Sequence, residues 1–177
     1  AAAMNPCKCG FFPDLGKCRC TPTQIRRYLN RVSGPFLDRI DIGVEVPRQD
    51  LGMMAAEKSI DEGSFPQTEQ RNSSAVMRAR VMEARARQEK RFADESISYN
   101  SQMTRRQIEE YCRLSGEDAV FLEKVERQQG ISARGHGKIL KVARTLADLD
   151  GQAEIGRTQL AEAIGFRSFE KKYWGSL

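Results

Sequence analysis

Apolar positions fall at helical spacing along most of this 177-residue chain. In CTPTQIRRYLNRVSGP, Ile25, Tyr28, Leu29 and Val32 recur at i, i+3, i+4 and i+7, which predicts an amphipathic helix. Thr21 suits its N-cap, Pro22 its first turn, and Ser33-Gly34-Pro35 its stop. The period then changes. In FLDRIDIGVEVP, Ile40, Ile42, Val44 and Val46 alternate with Asp41, Gly43 and Glu45, the pattern of a strand closed by Pro47. Residues 48–72 have weak periodicity and read as a linker. Ser73 or Ser74 then opens a long helix to about Phe92, with Met77, Val81, Ala84 and Gln88 as its buried stripe. Four short helices follow, starting at Thr104, Ser115, Ser132 and near Thr158, with Gly130 and Gly151 as stops, and predict a compact bundle.

The first six residues are small and apolar and stop at Asn5-Pro6, which reads as the end of a buried strand. The chain thus reads as starting inside an element. Two short strand-like pieces cannot bury themselves, so this part needs partner strands that the chain does not contain.

Composition narrows the classes. Hydrophobic residues make up 40% and aromatics 7%, which favours helices packed through aliphatic side chains over a sandwich. The net charge of +5 permits contact with nucleic acid or nucleotide phosphate without demanding it. The long helix is basic, with Arg78, Arg80, Arg85, Arg87, Lys90 and Arg91. No run is long and apolar enough to span a bilayer, and no secretory signal stands at the start. A cytoplasmic, reducing setting is therefore expected, with cysteines as thiolates or metal ligands rather than disulfides.

Four of the five cysteines lie in NPCKCGFFPDLGKCRC, as two C-x-C pairs. Four thiolates at Cys7, Cys9, Cys18 and Cys20 suit a closed tetrahedral Zn²⁺ site with no position open for catalysis. Reduced loop cysteines without metal are the alternative, and a redox pair is the weaker one. Zinc here would stiffen a loop. Cys112 stands alone in a helix and reads as core; His136 reads as surface.

Taken in order, AAMNPCKCG, CRCTPTQIRRYLNRVSGPFLDRIDIGVEVP, YCRL and SARGHGKILKVARTLADL resemble the magnesium-chelatase-related AAA+ ATPases of the ComM/YifB group. The resemblance covers nearly the whole chain and is weakest in 48–72 and after Arg167. It implies a mainly α chain: the partial α/β end of an AAA+ core followed by a helical lid. The division it implies is 1–47 for the end of the core with the cysteine loop, 48–72 for a linker, 73–95 for the basic helix, 96–167 for the lid and 168–177 for a tail.

The resemblance also assigns roles. It would put the cysteine loop on a DNA-facing or intersubunit side. Asn5 would be the sensor-one residue, a neutral group orienting water near the γ-phosphate; a plain Asn-Pro turn is the alternative. Arg39, in GPFLDRID, would be an arginine finger reaching a neighbouring subunit's ATP, with an ion pair to Asp38 or Asp41 as the alternative. Arg134, in SAR, would be the sensor-two residue at a helix start, where anions are favoured. Arg144 is its rival but lies mid-helix. Gly135 and Gly137 depart from the usual wording there and weaken the first turn by about 1 kcal/mol each against Ala.

No G-x-x-x-x-G-K-[ST] phosphate loop occurs, nor an apolar run ending in Asp-Glu to hold Mg²⁺. ATP and Mg²⁺ are thus expected for a longer parent, and no turnover by this chain alone. The implied parent is a homohexameric DNA motor acting in helicase work or branch migration during recombination or transformation. A chelatase-like remodeller and a non-enzymatic zinc-loop DNA-binding module are the alternatives.

Overall fold

The computed structural model describes residues 1–46 and 73–175. The linker expected at 48–72 lies outside the described residues. Helix α1 spans Pro22–Leu29 and α2, a single turn, Gly34–Leu37. Thr21 caps α1 in a reciprocal box: its hydroxyl accepts from Gln24 N (3.3 Å), and Gln24 Oε1 accepts from Thr21 N (3.0 Å). Helix α1 stops earlier than its pattern suggests, with Asn30 as its C-cap, and Ser33-Gly34-Pro35 instead start α2, with Ser33 as N-cap.

Helix α3 spans Ser74–Arg91, α4 Arg105–Tyr111, α5 Gly116–Gln129 and α6 Ala133–Leu149. Each starts where a hydroxyl precedes it. Ser73, Thr104, Ser115 and Ser132 each accept from a backbone N–H in the first turn, satisfying a donor the helix leaves free. Gly130 closes α5 at φ 68°, a left-handed conformation that glycine adopts without steric cost. Helix α7 spans Arg157–Gly165 and α8 Ser168–Trp174.

Helix α6 is the centre of the bundle and packs against α7, α3 and α4. Its buried stripe runs Ile139, Leu140, Ala143 and Ala147 and meets Leu122, Leu160, Ala163, Ile164, Phe92 and Met103. Cys112 is in this core, as expected. A second, small core holds only Cys7, Ile25 and Leu29 as buried apolar residues. Tyr173 and Trp174 of α8 pack against it, and the Trp174 indole donates to Leu29 O at 3.1 Å. Helix α8 therefore ties the cysteine loop and α1 to the bundle.

The mainly α expectation holds, and two local expectations do not. Among the described residues there is no strand. Residues 40–46 form no ladder, and Ile42, Val44 and Val46 are 50%, 68% and 87% exposed. An alternating pattern specifies a face but does not supply the neighbouring backbone that a strand needs. What holds this segment is Gly43 N donating to Phe166 O at 2.9 Å. The Phe169 ring lies so close that a Cβ at Gly43 would clash with it. Residues 1–5 are likewise exposed and form no strand.

The stripe expected on α3 is only half right. Ala84 and Gln88 are buried, but Met77 and Val81 are 51% and 43% exposed. The anchors of α3 on α6, Arg87 and Arg91, both reach Asp148 from the last turns of α3. No helix among the described residues is long and apolar enough to cross a membrane.

Candidate functional site

The cysteine loop is a series of tight turns. Gly10, at φ 80°, donates its N–H to Cys7 O, Asp14 N–H reaches Phe11 O, and Cys18 N–H reaches Asp14 O. These turns bring both C-x-C pairs to one point. Cys7 Sγ lies 3.3 Å from Cys9 Sγ and 3.8 Å from Cys18 Sγ, and Cys9 Sγ lies 3.6 Å from Cys18 Sγ. All four sulfur atoms, Cys20 included, fall within 4.8 Å of one another, and all are free thiols. Zn–S bonds of about 2.3 Å in a tetrahedron put sulfurs about 3.8 Å apart, so the spacing fits a four-thiolate metal site.

The electrostatics agree. The Phe11 backbone amide leads in pulling Cys9 down to about 6. Cys7 is also lowered: burial opposes its charge, but the Phe12 amide and others outweigh it. Cys18 is pushed up to about 12; the Cys20 amide favours its thiolate, yet burial and the Cys9 and Cys7 sulfurs prevail. Cys20 is raised too: the Cys9 amide favours its thiolate, but the Cys9 sulfur, burial and Cys7 outweigh it. The loop's amides favour charge on the first pair, and that charge disfavours ionisation of the second. A divalent cation among the sulfurs would let all four ionise. Four sulfurs complete a tetrahedron, which leaves no ligand position for substrate.

A second cluster forms where α2 meets the start of α6. Asp38 receives Arg134 Nη1 at 3.3 Å, and the Ser132 hydroxyl lies 3.4 Å away. Asp41 receives Lys138 Nζ at 2.7 Å. Both carboxylates that flank Arg39 are therefore engaged by α6. Arg39 itself is exposed, donates to Pro35 O at 2.6 Å, and makes no ion pair among the described residues. The Asp38–Arg134 pair thus places the start of α6 next to the Arg39 backbone. A cavity of about 120 Å³ opens beside it, lined among others by Asp38, Ser132, Arg167 and Glu170. Asn5 is exposed, and no hydrogen bond or ion pair joins it to either arginine.

Arg144 has a different setting. It is 2% exposed, donates to Ala153 O at 2.8 Å and Gln152 O at 2.7 Å, and lies 3.3 Å from Asp148. Its Nε has no partner. Asp148 is fully buried and also binds Arg91 and Asn100 Nδ2. Arg144 is thus a structural arginine that holds the α6–α7 turn. His136 is half-buried, with Nδ1 2.6 Å from the mostly covered Glu126 carboxylate.

Sequence reasoning missed Asp148 as the hub of this network and α8 as the clamp on the cysteine loop. The signal for Asp148 was weak: a carboxylate late in a helix usually faces water. For α8 the aromatics Phe169, Tyr173 and Trp174, crowded into one short segment, were the available sign of burial.

Comparison with known proteins places these features. The family model described as magnesium chelatase, subunit ChlI C-terminal, matches residues 71–167, and that described as magnesium chelatase, subunit ChlI, matches residues 1–54. The chain is 40% identical over 168 residues to the competence protein ComM of Haemophilus influenzae, covering 94% of this chain and 30% of that protein. It is 40% identical over 170 residues to the uncharacterized protein YifB of Escherichia coli, covering 96% and 31% respectively. An uncharacterized protein of Mycobacterium tuberculosis is 31% identical over 165 residues, 93% of this chain and 30% of that one. The chain therefore spans about 30% of the length of the curated relatives it matches.

Proposed function

The chain belongs to the magnesium chelatase ChlI family, with a sequence that fits its ComM/YifB members, and from that premise we propose that it is the sensing and lid portion of a ring-forming, DNA-dependent ATPase of the cytoplasm. A competence protein among its relatives supports DNA as the substrate, in helicase or branch-migration work. In this reading, the parent supplies the phosphate-binding loop and Mg²⁺ ligands, and neighbouring copies form a homohexamer.

The observation that carries the reading is the state of Arg39. An exposed guanidinium, hydrogen-bonded to the Pro35 carbonyl and flanked by two aspartates that other cations occupy, is available to a neighbour's site. There it would stabilise charge on the transferred phosphoryl group, an effect of about 10³–10⁵ in rate. Arg134 serves as the sensor-two residue by exchanging Asp38 for nucleotide phosphate, and Asn5 as the sensor-one residue that orients water. Zn²⁺ is held by Cys7, Cys9, Cys18 and Cys20 in a structural role; the sulfur spacing supports this.

The test follows ATP turnover by the full-length protein of which this region is proposed to be part, without DNA, with single strands and with branched DNA. DNA should stimulate turnover, and Arg39→Ala should lower it by at least about 10³-fold while ATP still binds. Turnover indifferent to DNA would instead favour a chelatase-like or protein-remodelling motor. Normal turnover by Arg39→Ala would sink the finger assignment.

A further inference from the structure

We propose that the cysteine module binds the phosphodiester backbone of nucleic acid, through Lys8, Lys17, Arg19, Arg26, Arg27 and Arg31. The proposal rests on the DNA-dependent reading above and says which part of this chain makes the contact. Residues 1–37 carry these six cations against one carboxylate, Asp14. Residues 38–177 carry 23 Lys and Arg against 23 Asp and Glu. The whole formal charge of +5 therefore resides in the cysteine module. Four thiolates around a divalent cation would subtract two charges and leave about +3.

Pairing sharpens the contrast with α3, the segment whose sequence is most obviously basic. There Arg80 meets Asp150, Arg87 meets Glu83 and Arg91 meets Asp148, so much of its charge is already balanced. In the cysteine module, Lys17 reaches Asp14 at 3.9 Å with both side chains mostly exposed. The other five cations make no ion pair among the described residues, and all six are exposed.

The local geometry explains why they face outward. Each C-x-C pair turns its two sulfurs to the shared centre, so the residue between them, Lys8 in one and Arg19 in the other, is left on the outside. On α1, Ile25 and Leu29 face the small core, which leaves Arg26 and Arg27 exposed. These two also sit in the last turn of α1, where cations complement the helix dipole. That role gives no account of Lys8, Arg19 or Lys17. A sulfur-centred unit that carries six exposed cations, four of them arginine, has the chemistry for multiple phosphate contacts.

The test measures binding of the 177-residue chain, loaded with Zn²⁺, to a labelled single-stranded oligonucleotide and to a duplex by fluorescence anisotropy across salt concentration. Six contacts give a slope of log K on log salt of about −4 for the single strand, at about 0.7 per phosphate, and a steeper one for the duplex. The variant K8Q/R19Q/R26Q/R27Q should reduce the slope by about 3 and weaken low-salt binding on the order of 100-fold. Its helical circular dichroism should not change, because all four side chains are exposed. The α3 variant R78Q/R85Q should bind like the wild type. A quadruple variant with wild-type slope, beside a weakened α3 variant, overturns the proposal and keeps the DNA reading. A wild-type chain that binds neither oligonucleotide overturns the proposal too, and points the cationic surface at an acidic protein. If that occurs while the full-length protein's ATPase still responds to DNA, the DNA reading survives alone.

Discussion

The bundle encloses 12 buried apolar residues around α6, whereas the cysteine module buries three, Cys7, Ile25 and Leu29. The bundle is large enough to bury an aspartate and an arginine together and to pair them. The module has no comparable interior. Units with so few buried side chains usually need a covalent or metal staple, and here four sulfurs stand at the centre of the smaller unit. The two regions meet through α8, whose Tyr173 lies edge-on to Phe12 at 6.0 Å while Trp174 bonds the end of α1. The comparison teaches that the chain holds its two ends by different physics, so different perturbations should separate them.

If the four cysteines hold zinc as proposed, its removal should have the largest effect. Structural zinc contributes on the order of 10 kcal/mol to folding in zinc-finger peptides. Chelation, or the double variant Cys9→Ser and Cys18→Ser, should release residues 1–37 from fixed structure and leave the bundle folded. The chain's single tryptophan, Trp174, sits at the joint, so its emission reports the module while far-ultraviolet dichroism reports the bundle. Amide exchange should rise in α1 and stay slow in α6. Unchanged emission and exchange after chelation would mean that the loop supports itself, and the contrast would collapse.

Next in size is Asp148→Ala. It removes the carboxylate shared by Arg91, Arg144 and Asn100 and strands a buried guanidinium that is 2% exposed. Breaking one side of a buried pair costs about 3–5 kcal/mol. Urea denaturation should show that loss in the bundle, with metal binding by the module intact. A loss under about 1 kcal/mol would show that Arg144 finds water or another acceptor, and that the bundle does not depend on this network.

These two regions also differ in how far they could be read from the sequence. The bundle's helix starts were legible because each N-cap is a local event, a hydroxyl followed by a free amide three residues on. Thr104, Ser115 and Ser132 all cap as their spacing suggests, and so does Thr21 on α1 of the cysteine module. The cysteine cluster was legible for a related reason, since two C-x-C pairs across a turn-rich loop have few ways to lie apart. What failed was non-local. The alternation at 40–46 requires a neighbouring strand, and the stripe through Met77 and Val81 requires a second helix long enough to cover it. Arg144 and Asp148 show the same limit, because only packing from α3 decides that an i, i+4 ion pair on α6 is interior.

The smallest effect concerns acid. Asp118 follows the Ser115 cap on α5 and pairs with Arg157, which also stacks on Phe121 at 4.4 Å. The hydrogen bond from Arg157 leads in holding this carboxyl below its ordinary value of 3.8, against a smaller opposing effect of burial. A carboxyl depressed in the folded state stabilises fully above its unfolded pKa. That contribution fades as pH falls below about 4 and through the folded value. Asp118→Asn should therefore lower the melting temperature near neutral pH and close the gap to wild type as pH drops. The comparison is thermal melts of both proteins at matched ionic strength from about pH 6 to pH 2.5, read in the bundle's helical signal. Because half of the Arg157 side chain is exposed, solvent screens the pair and the shift is expected to be small. Parallel curves across the whole range would mean that Arg157 holds its place through Phe121, with the carboxylate a bystander. In the cysteine module acid would act on thiolates instead, by competing for sulfur with the proposed metal, so Asp118→Asn should leave the pH at which that metal is lost unchanged.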